Sequence, residues 1–168
     1  TWSGVILPNV CNAVVFFYLY QNIRVKGGAY GCGCGFAPDT GNVHFSSYRD
    51  PNLAATEKVY EGTGEYVQNL KLDEKELTKY IIGTFSGYEC PISRYGKMAR
   101  SFDAYITGNT YEEVLRRRAE MLDITAEQFA AVGDAFDAIL AQGYRCSVGN
   151  EKNIADNGEL FDNLVTVN

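Results

Sequence analysis

The stretch Gly27 to Phe36, GGAYGCGCGF, constrains this chain more than any other. Glycine alternates with a larger residue. An extended strand from about Ala29 to Phe36 would therefore carry Tyr30, Cys32, Cys34 and Phe36 on one face, and Gly31, Gly33 and Gly35 on the other. A face made only of glycine lets a second backbone, a helix or a peptide come very close. What precedes the strand reads as a helix, from about Asn9 to Arg24. Val10, Ala13, Val14, Phe17 and Tyr18 form one stripe of it, and Val15, Phe16 and Leu19 fill the other side. A helix apolar nearly all round is expected to be buried. Gly27 and Gly28 then end it. A turn over Pro38 to Asn42 leads to a second strand, Val43 to Tyr48, and the two strands read as an antiparallel hairpin.

The rest of the chain reads as helices with recognisable starts. Asp50-Pro51 supplies a cap and a first-turn proline, and Leu53, Thr56, Val59, Tyr60, Thr63, Tyr66, Val67 and Leu70 follow at helical spacing. Asp73 with Glu76, and Thr125 with Gln128, have the spacing of capping boxes. Leu77, Tyr80, Ile81, Thr84 and Phe85 form the inner stripe after the first box; Phe129, Val132, Phe136, Ile139 and Leu140 form it after the second. Pro91 to Asn109 and Thr110 to Met121 are also predicted helical, and Tyr144 to Val148 a last strand. The order predicts an α/β fold: a two-layer sandwich of a mainly antiparallel sheet with helices packed on it. The whole chain, 168 residues, fits one domain.

Composition excludes several functions. The net charge of -6 argues against a general nucleic-acid binder, which needs a basic footprint. The Arg116-Arg117-Arg118 run has acidic residues one turn earlier and reads as a solvated helix face. The apolar run Val5 to Tyr20 holds Pro8, Asn9 and Asn12 and is too short to span a membrane. Five scattered cysteines do not make a disulfide framework; they read mostly as small buried thiols in a reducing compartment. The glycines lack both the GxxxxGK[ST] and the GxGxxG register of phosphate-binding loops. Cys32 and Cys34 form a CxC pair without the further ligands that a structural zinc requires. His44 is the sole histidine and reads as an ordinary strand residue.

Arg24 and Tyr30 are the residues to single out. An arginine ending an apolar helix and a phenol opening the glycine strand can both donate to one carbonyl oxygen. Such donors matter when that oxygen gains charge in a transition state. From the residues alone, a structural arginine and a packed tyrosine are the commoner outcome.

The motifs IRVKGGAYG (Ile23 to Gly31) and SSYRDPNL (Ser46 to Leu53) resemble the C-terminal half of the presequence-protease branch of the pitrilysin and insulinase zinc metallopeptidases. The resemblance continues through LTKYIIGTFSGYECP, KMARSFDAYITGNTYEE and ITAEQF, and covers roughly Val10 to Val148. It implies a parent of four homologous α/β domains whose halves close around an unstructured peptide. It implies a zinc ion held in the first domain on an HxxEH motif, absent from this chain. It implies that Arg24 and Tyr30 hydrogen-bond the substrate near the scissile carbonyl. The expectation is thus a C-terminal domain fragment, inactive alone, of a zinc metalloendopeptidase. Its expected partners are the N-terminal half of the same polypeptide and unstructured peptides, with no nucleic acid and no membrane. The expected location is a bacterial cytoplasm, with an organelle as the alternative. A non-catalytic scaffold or peptide-binding subunit of the same superfamily is the rival reading, and a free-standing single-domain protein a third.

Overall fold

The computed structural model describes residues 5–37 and 40–166, apart from the side chain of Tyr88. The chain opens with helix α1, Ile6–Val14, in which Pro8 falls within the first turn, where its missing N–H costs no helical bond. From Val15 to Lys26 the same helix continues in π geometry. Each turn there closes one residue later than in an α-helix, and π windings of any length are rare and cluster at functional sites. The change of winding also changes which residues face inward. Val10, Ala13, Val14, Leu19 and Ile23 are buried, whereas Phe16 and Phe17 stand in solvent at 69% and 55% exposure. The expectation of a helix buried nearly all round therefore holds for Ile6–Val14 apart from Asn12, and fails beyond it.

Strands β1, Gly31–Ala37, and β2, Asn42–Tyr48, pair antiparallel, with Gly31 opposite Tyr48 and Ala37 opposite Asn42. Pro38 and Asp39 of the expected turn lie outside the described residues. Cys32, Cys34, Phe36, Val43 and Phe45 pack against the core. Phe45 lies 5.2 Å from the Tyr60 ring and 5.7 Å from the Phe136 ring. The glycines share the outer face with His44, Ser46 and Tyr48, which are exposed. No helix covers them among the described residues. The His44 imidazole lies across Gly35, in space a Cβ there would need.

Helices α2 (Leu53–Glu61), α3 (Thr63–Gln68), α4 (Glu74–Tyr88), α5 (Arg94–Thr107), α6 (Tyr111–Leu122), α7 (Ala126–Ala130), α8 (Gly133–Leu140) and α9 (Glu151–Asp156) follow, with a short 3₁₀ turn at Gly158–Leu160. Both expected capping boxes form, Asp73 with Glu76 and Thr125 with Gln128. Each satisfies two backbone donors that a helix start would leave open. Ser93 caps α5, and Gly108 ends it in the left-handed region at φ 70°. The stretch expected as one helix from Leu53 to Leu70 breaks at Gly62, and that from Phe129 to Leu140 breaks before Gly133. The breaks let α3 and α8 press backbone to backbone. A Cβ on Gly133 would lie 2.7 Å from the Gly64 carbonyl oxygen. Gln68 Nε2 donates to Asp134 Oδ1 at 2.8 Å and to Asp137 Oδ2 at 3.2 Å across the same contact.

Two further expectations need correction. The first turn of α2 starts at Leu53 rather than at Pro51. Asp50 braces it from outside: Oδ1 accepts from the Asn52 N–H at 2.9 Å and Oδ2 from the Thr56 hydroxyl at 2.6 Å. Residues Tyr144 to Val148 form no strand. That segment is held to α2 by side chains instead, through Arg145 to Glu57 at 2.8 Å and to Glu61 at 3.4 Å. The architecture is α/β, helices packed on one face of a two-stranded antiparallel sheet.

The α3–α8 contact makes a stability prediction. Gly133→Ala should cost about 1–3 kcal/mol, because the Gly64 carbonyl must move as well as the Gln68 side chain. Gly83, exposed inside α4 with open space around it, should gain about 0.5–1 kcal/mol as alanine. Urea midpoints of the two variants, read by circular dichroism, should move in opposite directions.

Candidate functional site

Arg24 and Tyr30 meet at the junction of the π segment and β1. Three backbone bonds and one side chain fix that junction. The Gly28 N–H donates to the Arg24 carbonyl at 3.1 Å, the Ala29 N–H to the Ile23 carbonyl at 3.1 Å, and the Tyr30 N–H to the Tyr48 carbonyl at 3.0 Å. The first two resemble a Schellman closure opened by one residue, as the wider winding requires. Asn52 Nδ2 donates to the Gly27 carbonyl at 2.7 Å, tying the start of α2 to the turn. Gly28 adopts φ +79°, a conformation that costs a side-chain-bearing residue about 1–2 kcal/mol.

This closure turns two side chains to one exposed surface. The Arg24 guanidinium lies 5.0 Å from the Tyr20 ring centre and 6.0 Å from the Tyr30 ring centre. Tyr30 is 64% exposed and meets Tyr48 edge-on at 5.9 Å. A guanidinium within about 6 Å of a ring is attracted to its face. Arg49, at the end of β2, lies 5.8 Å from the Tyr30 ring and 5.4 Å from the Tyr48 ring. Among the described residues, neither Arg24 nor Arg49 makes a salt bridge. The surface thus joins two free guanidinium groups, each able to donate in a planar fork, to phenol hydroxyls. It can bind a carbonyl oxygen, an oxyanion or a carboxylate.

Sequence reasoning singled out Arg24 and Tyr30 but gave no role to Tyr20, Tyr48 or Arg49. Tyr48 and Arg49 do fall inside the SSYRDPNL motif. What sequence alone lacked was the hairpin register, which sets Tyr48 opposite Gly31 and so brings Arg49 beside Tyr30.

The other candidates stand apart. The Cys34 thiol, half-buried, is pushed well above the usual thiol range by its neighbour Cys11 and by burial, and burial raises Cys32 too. Thiols held protonated are poor nucleophiles and poor metal ligands. The expectation of mostly buried cysteines needs correction, since Cys90 and Cys146 are exposed and of the five only Cys11 is fully buried. No group of three or more His, Cys, Asp and Glu side chains converges among the described residues. The donor set therefore does not fit a zinc ion. The arginine run is paired: Arg116 with Glu113 and Glu120, Arg117 with Glu113, and Arg118 with Glu89. Hydrogen bonds from Arg116 hold the Glu113 carboxyl at about 2.

A family model described as the PreP C-terminal domain matches residues 5–150. The chain belongs to this family. It is 37% identical to protein HypA of Clostridium perfringens over 90% of this chain and 16% of that protein. It is 36% identical to presequence protease 1, chloroplastic/mitochondrial, of Arabidopsis thaliana, over 82% of this chain and 13% of that protein. It is also 36% identical to the mitochondrial presequence protease of Aspergillus fumigatus, over 84% and 13%. This PreP C-terminal domain therefore spans 13–16% of the length of these curated relatives. The resemblance read from the IRVKGGAYG and SSYRDPNL motifs is a true family relationship. Among the described residues, no helix is long and apolar enough to cross a membrane.

The junction can be tested directly. Gly28→Ala should lower stability by about 1 kcal/mol through its positive φ alone, since the nearest atom to an added Cβ, on Pro51, is at an ordinary 3.8 Å. Gly41→Ala, also at positive φ and open, is the control for strain away from the site. Both should lose comparable stability in urea unfolding. Only Gly28→Ala should disturb the Tyr30 and Tyr48 ring resonances in NMR spectra.

Proposed function

We propose that this domain is the C-terminal part of a zinc metallopeptidase that encloses unstructured peptides, and that Arg24 and Tyr30 hydrogen-bond the carbonyl of the bond being cleaved. The observation that carries this reading is the exposed, unpaired Arg24 beside Tyr30 at a backbone-locked junction. The family relationship to proteins named presequence proteases supplies the reaction class. Donors held in place before reaction stabilise an oxygen that gains negative charge, and they need no reorganisation as it does so. Arg24 brings a permanent positive charge and Tyr30 a neutral hydroxyl, so together they favour the charged oxygen over the ground-state carbonyl. Among the described residues no donor set fits the metal. In this reading the zinc belongs to the N-terminal half of the same polypeptide, and the domain alone is inactive.

Two apolar surfaces support a larger parent. Phe16 and Phe17 are exposed on the π segment, and Tyr95, Met98, Phe102, Tyr105 and Ile106 are exposed on α5, which buries no residue. Contiguous exposed apolar rows of this kind mark interaction surfaces. The N-terminal half is the occupant proposed here, and with it the sandwich fold of the superfamily becomes the proposed architecture of the completed domain. A bacterial cytoplasmic location belongs to this reading, with an organelle as the alternative.

In the full-length protein, Arg24→Ala and Tyr30→Phe should each lower kcat for peptide hydrolysis by about 10²–10³, and more than they raise KM. Steady-state kinetics on an unstructured peptide checks this. Unchanged turnover in both variants would refute the assignment. A full-length protein lacking an HxxEH motif and peptidase activity would favour the scaffold.

A further inference from the structure

We propose that Arg49 is a second substrate-binding residue, which takes a carboxylate of the bound peptide beside the carbonyl held by Arg24 and Tyr30. The inference rests on the peptide-binding reading above and goes beyond it in naming a residue and a ligand group.

Three observations carry it. First, Arg49 is the only non-glycine residue at positive φ among the described residues, at 50°. An arginine gains nothing there that glycine or asparagine would not supply at lower cost. Local strain of this kind persists where the surroundings or a function require the side chain. Secondly, that backbone sets the guanidinium beside both the Tyr30 and the Tyr48 ring, at 5.8 and 5.4 Å, with no salt bridge among the described residues. Attraction to the two rings restrains the planar fork, whose N–H groups remain available to a carboxylate.

Thirdly, Arg49 also lines a cavity of about 900 Å³ running along β2 toward Tyr144 and Val148. The other charges lining it are already engaged. Arg145 is bound to Glu57 and Glu61, and the Asp50 carboxylate accepts from Asn52 and Thr56. Arg49 is thus the unpaired cation of this cavity among the described residues. It stands where the cavity meets the Arg24 and Tyr30 surface. A peptide crossing that surface would bring an acidic side chain, or its own C-terminal carboxylate, to the Arg49 fork.

The test uses the full-length protein and four versions of one unstructured peptide: a glutamate or a glutamine at the same position, each with a free or an amidated C-terminus. Fluorescence anisotropy reads binding and steady-state kinetics reads KM and kcat. Wild type should bind the carboxylate-bearing peptides about tenfold more tightly than their amide counterparts, the effect of one charge-assisted interaction. Arg49→Gly, which relieves the φ, should remove that preference, read as a rise in Kd and KM for the carboxylate-bearing peptides to the values of their amide counterparts. Arg49→Lys should keep part of it. Loss that follows the glutamate assigns the side chain as the ligand; loss that follows the terminus assigns the C-terminal carboxylate. An enzyme that cleaves all four peptides with no carboxylate preference, or an Arg49→Gly variant that retains one, overturns this inference alone. A protein that neither binds nor cleaves any of them overturns the peptidase reading as well.

Discussion

The turn from Gly27 to Tyr30 is the constraint on which the site depends. Four hydrogen bonds converge on it, from Gly28 to Arg24, Ala29 to Ile23, Tyr30 to Tyr48 and Asn52 to Gly27. They tie one helix, both strands and the start of α2 into a single backbone arrangement. The first two terminate the helix, satisfying carbonyls that its end would otherwise leave open. The third starts the sheet. The positive φ of Gly28 makes the reversal between them possible. Arg24 and Tyr30 are close because they stand on either side of this reversal, six positions apart.

The sheet itself is small, and two strands alone are marginal in water. Its inner face is secured by rings and aliphatic side chains from the helices: Phe45 against Tyr60 and Phe136, and Cys34 against Cys11 of α1. Burial is strong enough there to raise the Tyr60 hydroxyl to about 12. The outer face carries glycine opposite His44, Ser46 and Tyr48. The division of labour is therefore by face. The inner side anchors the hairpin, and its outer side and ends present Tyr30, Tyr48 and Arg49.

Much of this was legible in the sequence, for identifiable reasons. Capping boxes are local chemistry, so Asp73 with Glu76 and Thr125 with Gln128 could be read without tertiary context. The alternation of glycine and larger residues marks the strand and its two faces, but not that the cysteine face is the one that packs on the core. Arg24 and Tyr30 could be paired because glycines mark the turn between them. What could not be read depends on distant partners. The break at Gly133 follows from the close approach of Gly64 on another helix. The π winding has no periodicity that separates it from an α-helix in a run as apolar as Val15 to Leu19. Tyr144 to Val148 has a strand's composition, but Arg145 is drawn to Glu57 and Glu61 rather than aligned along β2. Arg49 carries no local signal of its backbone, because positive φ is the habit of glycine, asparagine or aspartate.

The central claim is that the junction presents Arg24 and Tyr30 to one oxygen atom of a bound peptide. The most direct measurement is a crystal structure of the full-length protein with a peptide-like inhibitor carrying a tetrahedral anionic centre. The Arg24 guanidinium and the Tyr30 hydroxyl should both lie within about 2.7–3.2 Å of an oxygen on that centre. An inhibitor bound with its anionic oxygens turned away from both side chains would contradict it.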